Sequence, residues 1–387
     1  MIEIIDGKAC FYVSDTEHLT LTFNGLHPHD ITPAVIDELT DYIHRLMTET
    51  GKTLLIVNLA GEGISMEPMQ MITPMLQGWI QKYAIPIDNV SITCGAAPVV
   101  ENVIKYFIHC KTLNSIPFNI RFQNSYEHLA ANGFLLPKLE FYNVFDSTPR
   151  LKQKIFLSFN KNMRLHRLYL ISELIRRDLV NKAIISTYLD YSVVDNPDSY
   201  LAYLLNDIKR FFPKNYQRVT DILTQTKEMF PLTLNYHDEA TAPMDIVNNI
   251  THFNESYFSL VTETKFLRDL PETHDTQLDC HLFSEKTYKP IMAKHPFILM
   301  SRPGSLAVLR QGGYKTFHPY INESYDDIED DEDRIEAIID EVERLSKFTD
   351  EEWLMWQENV RHIVEHNFNN LKNFKLITLE SKDYLPS

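Results

Sequence analysis

A carboxylate and an ammonium group stand side by side at Glu285 and Lys286, directly after Ser284, which can cap a helix. The pattern predicts that this pair opens a short helix, followed by an apolar strand at 296–300 and a Pro-Gly turn. A carboxylate there can accept hydrogen bonds from ribose hydroxyls, and the ammonium and the helix N-terminus can bind phosphates. The pair is therefore a candidate nucleotide site. Tyr288 either lies over a base or sugar or packs in the core.

Basic side chains crowd a second segment, residues 158–167, where a strand is expected to end and a helix to begin. They are Lys161, Arg164, His166 and Arg167. Positive charge near a helix N-terminus opposes the helix dipole, so a bound anion would explain the cluster. Asn160 or Asn162 can cap this helix. We interpret the segment, Asn160 included, as a pyrophosphate clamp; the alternative is a surface patch that pairs with acids such as Glu173.

A third polar group, Glu263, follows the apolar run at 257–262 and is predicted to lie at the carboxyl end of a strand. Ligands of open α/β sheets bind at the carboxyl ends of strands, so Glu263 is a candidate contact for a ribose or a base. The alternative is a solvated strand end.

In this order, the three segments resemble the donor-binding domain of the α1,3-fucosyltransferase-like glycosyltransferases, which have the GT-B fold. That domain has a Ser-Asn loop and an Arg, a strand that ends in Glu-Asn-Ser, and a Thr-Glu-Lys-Leu stretch before an apolar Val-Pro strand. The counterparts here are residues 158–164, 262–264 and 284–287, with residues 295–299 as the strand. The chain departs from the family at Pro290, where an Asn is expected, and in Glu-Thr for Glu-Asn-Ser. The resemblance covers residues 154–320.

This resemblance implies a glycosyltransferase that moves a sugar from a GDP- or UDP-sugar donor to a hydroxyl acceptor such as a glycan. It implies that Glu285 binds the donor ribose, and that Lys286 with Arg164 or Arg167 binds the diphosphate. These cations could stabilise the leaving diphosphate without a metal, so we expect a metal-independent, inverting reaction that requires no cofactor.

An inverting transfer also needs a general base for the acceptor hydroxyl. Glu62 is the leading candidate, because it lies in Gly61-Glu62-Gly63 directly after the apolar run at 53–59. A simple turn acid is the alternative interpretation. His27, His29 and Asp30 follow an earlier strand and are the next candidates.

Three other functions remain open at this point. A transferase acting on a hydroxymethylated DNA base would use the same donor site, but it would need a basic acceptor face. A non-catalytic nucleotide- or carbohydrate-binding protein would keep Glu285 and Lys286 without turnover. In an unrelated α/β protein, the Glu-Lys pair would be coincidental.

The elements that would position these residues alternate along the chain. In the N-terminal part, strands are predicted at 19–23, 53–59, 90–94 and 118–122, and helices at 33–49, 68–83 and 99–109. In the C-terminal part, strands are predicted at 154–159, 182–187, 257–262, 296–300 and 314–317, and helices at 163–177 and 305–310. Thr349 and Glu352 form a capping-box pattern for a helix that runs to about Asn367.

Alternation of this kind predicts an α/β fold with parallel sheets, as two Rossmann-like domains that face a cleft in a GT-B-like arrangement, with C-terminal helices. We assign residues 1–135 to an acceptor domain, 136–153 to a linker and 154–387 to a donor-binding domain with the terminal helices.

The composition narrows the class of protein. The chain has 387 residues, 44% hydrophobic content and a formal net charge of -16, which disfavours nucleic acid as a partner. No apolar run reaches the length of a membrane span and the N-terminus lacks a basic signal sequence, so we expect a soluble, cytoplasmic protein without a membrane span. The four cysteines are scattered, and we expect them to be reduced and structural. The acid-rich stretch at 323–343 is expected to be a solvated loop and helix face.

Overall fold

A computed structural model describes residues 2–4, 10–15, 19–24, 33–51, 55–59, 78, 80–84, 90–94, 119–122, 127, 130, 148–160, 164–187, 197–230, 232, 250–267 and 281–373. The chain divides into two compact units. The first comprises Met1–His128, Leu270–Leu282 and Lys375–Ser387, and the second comprises Leu129–Asp269 and Phe283–Phe374. The predicted linker at 136–153 lies mostly outside the described residues, so its boundaries stay a prediction.

The first unit contains a six-stranded mixed sheet whose strands are ordered as they occur in the chain. The strands are β1 (Ile2–Ile4), β2 (Cys10–Asp15), β3 (Leu19–Asn24), β4 (Leu55–Leu59), β5 (Val90–Cys94) and β6 (Asn119–Phe122). Helix α1 spans Pro33–Thr50 and begins at a proline, as the first helical position favours. The predicted strands and the helix at 33–49 are confirmed. The predicted helices at 68–83 and 99–109 lie mostly outside the described residues.

The parallel sheet predicted for this unit is confirmed for β3 to β6, and two further strands that the pattern did not predict make the sheet mixed. Strands β3 to β6 are parallel, but β1 pairs antiparallel with β2, and β2 pairs antiparallel with β3. Five residues join β1 to β2 and three join β2 to β3, which is long enough for a hairpin but far too short for a parallel crossover. β1 has only three residues, and β2 ends in Ser14 and Asp15.

The second unit is built on a four-stranded parallel sheet with helices around it. Its strands are β7 (Lys154–Asn160), β8 (Ala183–Thr187), β9 (Ser256–Thr262) and β10 (Phe297–Met300). Its α-helices are α2 (Leu165–Arg176), α3 (Pro197–Phe211), α4 (Tyr216–Gln225), α5 (Ile250–Glu255), α6 (Glu285–Met292), α7 (Ser305–Gln311), α8 (Asp331–Leu345) and α9 (Asp350–Lys372). The four predicted strands at 154–300 are confirmed to within two residues. The protein is therefore a mixed α/β protein.

The order of the strands locates the point at which this sheet can bind a ligand. The spatial order is β10-β9-β7-β8, so the chain leaves β7 through α2 to reach β8 on one side and then returns to place β9 on the other side. The connections after β7 and after β9 therefore diverge. In open α/β sheets, ligands bind at the carboxyl ends of strands at such a switch point. Here this point lies between the ends of β7 and β9, at Asn160 and Thr262.

Helix α9 is fixed to the second sheet by aromatic packing. The Trp353 ring stacks on Tyr257 with a centroid distance of 3.9 Å, and Phe258 lies 6.4 Å from Trp353 and 5.8 Å from Phe156. These rings are fully or almost fully buried, and each such pair adds about 0.5–1.5 kcal/mol beyond area burial. The predicted capping box is confirmed, since Thr349 and Glu352 exchange side-chain and backbone hydrogen bonds.

The predicted strand at 314–317 is wrong. Asn367 of α9 accepts a hydrogen bond from the Lys315 N–H at 2.7 Å and donates one to the Lys315 carbonyl at 2.9 Å. The amide side chain therefore satisfies the two backbone groups that a neighbouring strand would otherwise pair. The apolar pattern of this segment arises because the rings of Tyr314 and Phe317 are buried, although the segment is not a β-strand.

The acid-rich stretch comprises a turn at Ser324–Asp327 and most of α8. The solvated face expected for it is correct only in part, because Asp326, Glu332 and Glu341 are buried. Asp330 caps the helix by accepting from the N–H groups of Glu332 and Asp333, and three acids lie in the first turn, where the helix dipole favours them. Within the described residues, no group of three or more His, Cys, Asp or Glu side chains is arranged to hold a metal ion. None of the helices in the described part of the chain combines the length and apolarity needed to cross a membrane.

Candidate nucleotide-binding site

Glu263 anchors the start of helix α6 to the end of β9. Its carboxylate is fully buried and accepts hydrogen bonds from the Ser284 N–H at 2.9 Å, the Ser284 hydroxyl at 2.6 Å and the Thr287 hydroxyl at 2.5 Å. The Thr264 N–H lies 3.3 Å from the same group. A solvated strand end, one of the two interpretations of Glu263, is therefore wrong. Both carboxylate oxygens serve the protein, so we describe Glu263 as a positioning residue.

Ser284 caps helix α6, as its sequence position predicts. The hydroxyl donates to Glu263, and its oxygen accepts from the Lys286 N–H and from the Lys286 ammonium, both at 3.3 Å. A chain of hydrogen bonds therefore runs from Glu263 through Ser284 to Lys286. It fixes the first turn of the helix at the end of the sheet where the strands have their carboxyl ends, which we call the carboxyl edge.

Glu285 and Lys286 form an ion pair at this edge. The Lys286 Nζ lies 2.6 Å from Glu285 Oε1, and the two side chains are only 16% and 13% exposed, respectively. The second carboxylate oxygen, Glu285 Oε2, is buried and has no hydrogen-bond partner among the residues that the structure describes. The start of α6 therefore brings an ammonium, a carboxylate and the N-terminus of a helix together within one turn.

Among its described residues, the basic segment after β7 contributes one exposed and two buried basic groups. Helix α2 begins at Leu165 after Arg164, whose side chain is exposed. Arg167 is 1% exposed and donates to the Thr262 carbonyl at 2.9 Å, so it holds the end of β9. His166 Nε2 lies 3.0 Å from the Glu263 carbonyl and must carry the proton there, because a carbonyl oxygen only accepts. Burial, with Arg167 and Arg164 nearby, holds the pKa of His166 well below its usual value.

The expected helix cap at Asn160 is wrong. Asn160 is the last residue of β7, and its amide donates to the Ser158 hydroxyl at 3.1 Å and accepts from the Thr262 hydroxyl at 2.6 Å. Arg164 occupies the cap position of α2 and forms no side-chain cap. Asn160 therefore joins the ends of β7 and β9 at the switch point. Asn162 and Lys161 lie outside the described residues.

The remaining predicted site residues divide between the core and the undescribed part of the chain. Tyr288 is 1% exposed, and its ring packs 6.3 Å from Tyr314, so core packing is the interpretation that the structure supports. Glu173 is buried, and the ion pairs that it forms join it to Arg176, Arg177 and Arg218. The base candidates lie outside the described residues: Glu62, His27, His29 and Asp30.

Arg334 is a structural residue of this edge that the sequence analysis missed. It is 1% exposed and donates to the carbonyls of Ser301 at 3.1 Å and Phe266 at 3.0 Å, which follow β10 and β9. Its guanidinium lies 4.2 Å from the Phe266 ring, and that ring stacks on His166 at 5.0 Å. The available signal was an arginine four residues before Ile338, on the apolar face of α8.

The edge therefore gathers several cations together with the carboxylates of Glu263, Glu285 and Asp331, of which Glu285 pairs with Lys286 and Asp331 pairs with Arg334. Arg167, Arg334 and Arg302 are buried there, Arg164 is exposed, and Lys286 lies at the helix start. Buried guanidinium groups and a helix N-terminus stabilise negative charge placed next to them. The arrangement can bind an anion that also carries hydroxyl groups for the carboxylate of Glu285.

Comparisons of this chain with protein-family models, with curated proteins and with solved structures found no significant match. The functional argument therefore depends on the geometry of the site and on the chemistry of its residues.

Proposed function

We propose that this protein is a glycosyltransferase that moves a sugar from a nucleotide-diphosphate donor to a hydroxyl acceptor, with inversion and without a metal. The observation that carries the proposal is the Glu285–Lys286 pair at the start of α6, held by Glu263 at the carboxyl edge of a parallel sheet. A nucleoside diphosphate offers the two groups that such a pair can bind, an anion and a ribose diol.

Each group of the donor has a counterpart in the site. Lys286 and the N–H groups of the first turn of α6 would bind the diphosphate, and Arg164 would approach it from the end of β7. Glu285 would accept hydrogen bonds from the ribose hydroxyls once its carboxylate turns toward them; its Oε2 is buried and has no hydrogen-bond partner among the described residues. Glu263 would hold the start of α6 in place. The ends of β7 and β9 would be held by Asn160 and Arg167.

The reaction requires charge stabilisation on the leaving group. As the glycosidic bond breaks, negative charge grows on the diphosphate, and preorganised cations lower the barrier most effectively in a site that excludes water. Lys286 supplies this stabilisation in the proposal, with Arg164 as a second cation. The acceptor hydroxyl would lose its proton to Glu62. Two Rossmann-like domains in a GT-B arrangement, with Glu62 on the acceptor side, are part of this proposal.

Nucleotide binding tests the donor site directly. The protein is screened by thermal unfolding against GDP, UDP, ADP, CDP and their common sugar conjugates, with Lys286→Ala and Lys347→Ala alongside. Lys347 is an exposed lysine that pairs with Glu343 away from the site, so its variant controls for the loss of one charge. A ligand that binds the folded state alone raises the melting temperature by mass action.

The expected result is that one nucleotide stabilises the wild type and Lys347→Ala but not Lys286→Ala. Stabilisation by no nucleotide would contradict the proposal. Equal stabilisation of all three proteins would place binding elsewhere. Binding at Lys286 without release of the nucleoside diphosphate from any sugar donor, with any acceptor tried, would favour a non-catalytic binding protein.

A further inference from the structure

Glu285 places a negative charge where an anionic ligand would otherwise bind. Its Oε1 lies 2.6 Å from the Lys286 ammonium, and it is the acidic residue in the first turn of α6. The helix N-terminus favours a carboxylate at this position as it favours an external phosphate. The charge of Lys286 is therefore already balanced from within the protein.

Burial strengthens this internal pairing. The Glu285 and Lys286 side chains are 13% and 16% exposed, so their attraction is screened less than that of a surface pair. The Ser284 oxygen accepts a further hydrogen bond from the ammonium at 3.3 Å. An incoming phosphate must compete with these partners, and it must approach a carboxylate of the same sign.

The second oxygen of Glu285 sets what kind of ligand can overcome this competition. Glu285 Oε2 is buried and has no hydrogen-bond partner among the residues that the structure describes, which is a costly state for a carboxylate oxygen. A ligand with hydroxyl groups beside its phosphates would donate to this carboxylate once the carboxylate turns toward the ligand, and it would give Lys286 an anion at the same time. Inorganic phosphate and pyrophosphate carry P–OH groups at neutral pH, but they lack the paired hydroxyl groups of a ribose, and their charge repels the carboxylate.

We infer that Glu285 is a built-in counterion that makes the site select hydroxyl-bearing diphosphates over inorganic pyrophosphate. The inference deepens the proposed function and rests on it for the identity of the selected ligand. Glu285 therefore has two effects of opposite sign: it weakens the binding of a bare anion and strengthens the binding of a nucleoside diphosphate.

The test compares the affinities of sodium pyrophosphate and of ribonucleoside diphosphates by titration calorimetry at fixed ionic strength. The proteins are the wild type, Glu285→Gln, the double variant Glu285→Gln/Lys286→Gln, and Glu358→Gln. Glu358 is an exposed acid on α9 that pairs with Arg361, so its variant changes the net charge equally without touching the site. Thermal unfolding verifies that each protein is folded, and Glu285→Ala serves as a second variant at the same position.

Glu285→Gln is expected to bind pyrophosphate more tightly than the wild type, on the order of tenfold. Its preference for the best nucleoside diphosphate over pyrophosphate should fall by at least as much. The double variant should lose the gain, and Glu358→Gln should behave as the wild type. Pyrophosphate affinity that is unchanged or weaker in Glu285→Gln and Glu285→Ala would overturn the inference.

The failure of the proposed function is distinguishable from the failure of this inference. If no nucleoside diphosphate binds the wild type better than pyrophosphate, the donor site is wrong, but the pyrophosphate comparison still decides whether Glu285 is a counterion. If pyrophosphate binds neither the wild type nor Glu285→Gln, Lys286 captures no anion and the counterion role is wrong as well.

Discussion

At the scale of single residues, the site depends on a buried carboxylate that its ligand does not need to touch. Glu263 accepts from two hydroxyls and a backbone N–H at the start of α6, and through Ser284 it sets the position of the Lys286 ammonium. Glu285 and Lys286 are the partly accessible groups of this chain of contacts. The two glutamates at this helix start therefore have different roles. Glu263 is buried and positions the helix, whereas Glu285 pairs with Lys286.

Removal of the Glu263 carboxylate should destabilise the second unit strongly. In Glu263→Ala, the Ser284 N–H and the hydroxyls of Ser284 and Thr287 lose their acceptor inside the protein. We expect a loss of about 3 kcal/mol in the free energy of unfolding, measured by urea titration with tryptophan fluorescence. Glu358→Ala, at a side chain that is 60% exposed, should change it by less than about 0.5 kcal/mol. Equal effects of the two substitutions would contradict the role of Glu263.

At the scale of elements, polar side chains hold the loops that follow β9 and β10. Arg334 of α8 donates to carbonyls in both loops, and Asp326 accepts from the Leu306 N–H in the first turn of α7 at 3.0 Å. The carbonyl of Asp326 also accepts from the Gly304 N–H at 2.8 Å, where the backbone turns with a φ of 77° that suits glycine. These contacts order the edge of the sheet on which the site is built.

The contact at α7 predicts a dependence of stability on pH. Burial raises the pKa of Asp326 from its ordinary value of 3.8 to about 6. The folded protein therefore binds a proton that the unfolded chain has released, so stability from this group is full below about pH 4 and falls as the pH rises to 6. Asp326→Asn retains an oxygen that can accept from Leu306. It should exceed the wild type in unfolding free energy by about 2 kcal/mol at pH 8 and converge with it near pH 4.

Chemical unfolding at pH 4, 5, 6, 7 and 8 measures this difference. Asp327→Asn, at the neighbouring exposed position, is the control and should show no comparable trend. A difference between Asp326→Asn and the wild type that stays constant over this range would contradict the assignment.

The sequence allowed the prediction of elements whose signals are local. Ser284 was identified as a cap and Thr349 as part of a capping box, because both patterns lie within four residues. Strands β7 to β10 carry continuous apolar runs, since both faces of a parallel sheet are covered. The 314–317 segment has the same apolar signal, but Asn367, fifty-two residues away from Lys315, satisfies its backbone instead.

The site was predicted in part for the same reason. Glu285 and Lys286 are adjacent in sequence, and their position at a helix start could be inferred from Ser284 alone. The burial of Glu263 could not be inferred from the sequence, because its partners Ser284 and Thr287 lie 21 and 24 residues later. The role of Arg334 depends on contacts 33 and 68 residues away. Contacts at these separations are set by the topology of the sheet, which a local pattern does not contain.

At the scale of the whole molecule, the net charge is -16, yet several cationic side chains lie at one edge of one sheet. The net charge repels anionic partners that approach a broad surface of the protein. The cations of the site act only at the carboxyl edge of one sheet; they are Arg164, Arg167, Arg334 and Lys286. An acidic protein can therefore bind a nucleoside diphosphate while it repels a polyanion such as DNA. This combination favours a small anionic donor and an uncharged acceptor.

Release of nucleoside diphosphate from sugar nucleotides tests the central claim most directly. Purified protein is incubated with GDP- and UDP-sugars, with and without a panel of glycan acceptors, and the freed diphosphate is measured for the wild type, Lys286→Ala and Lys347→Ala. The account predicts release from one donor, stimulated by an acceptor, that falls by about a hundredfold in Lys286→Ala and stays unchanged in Lys347→Ala. Release that does not depend on Lys286, or none from any donor, would contradict it.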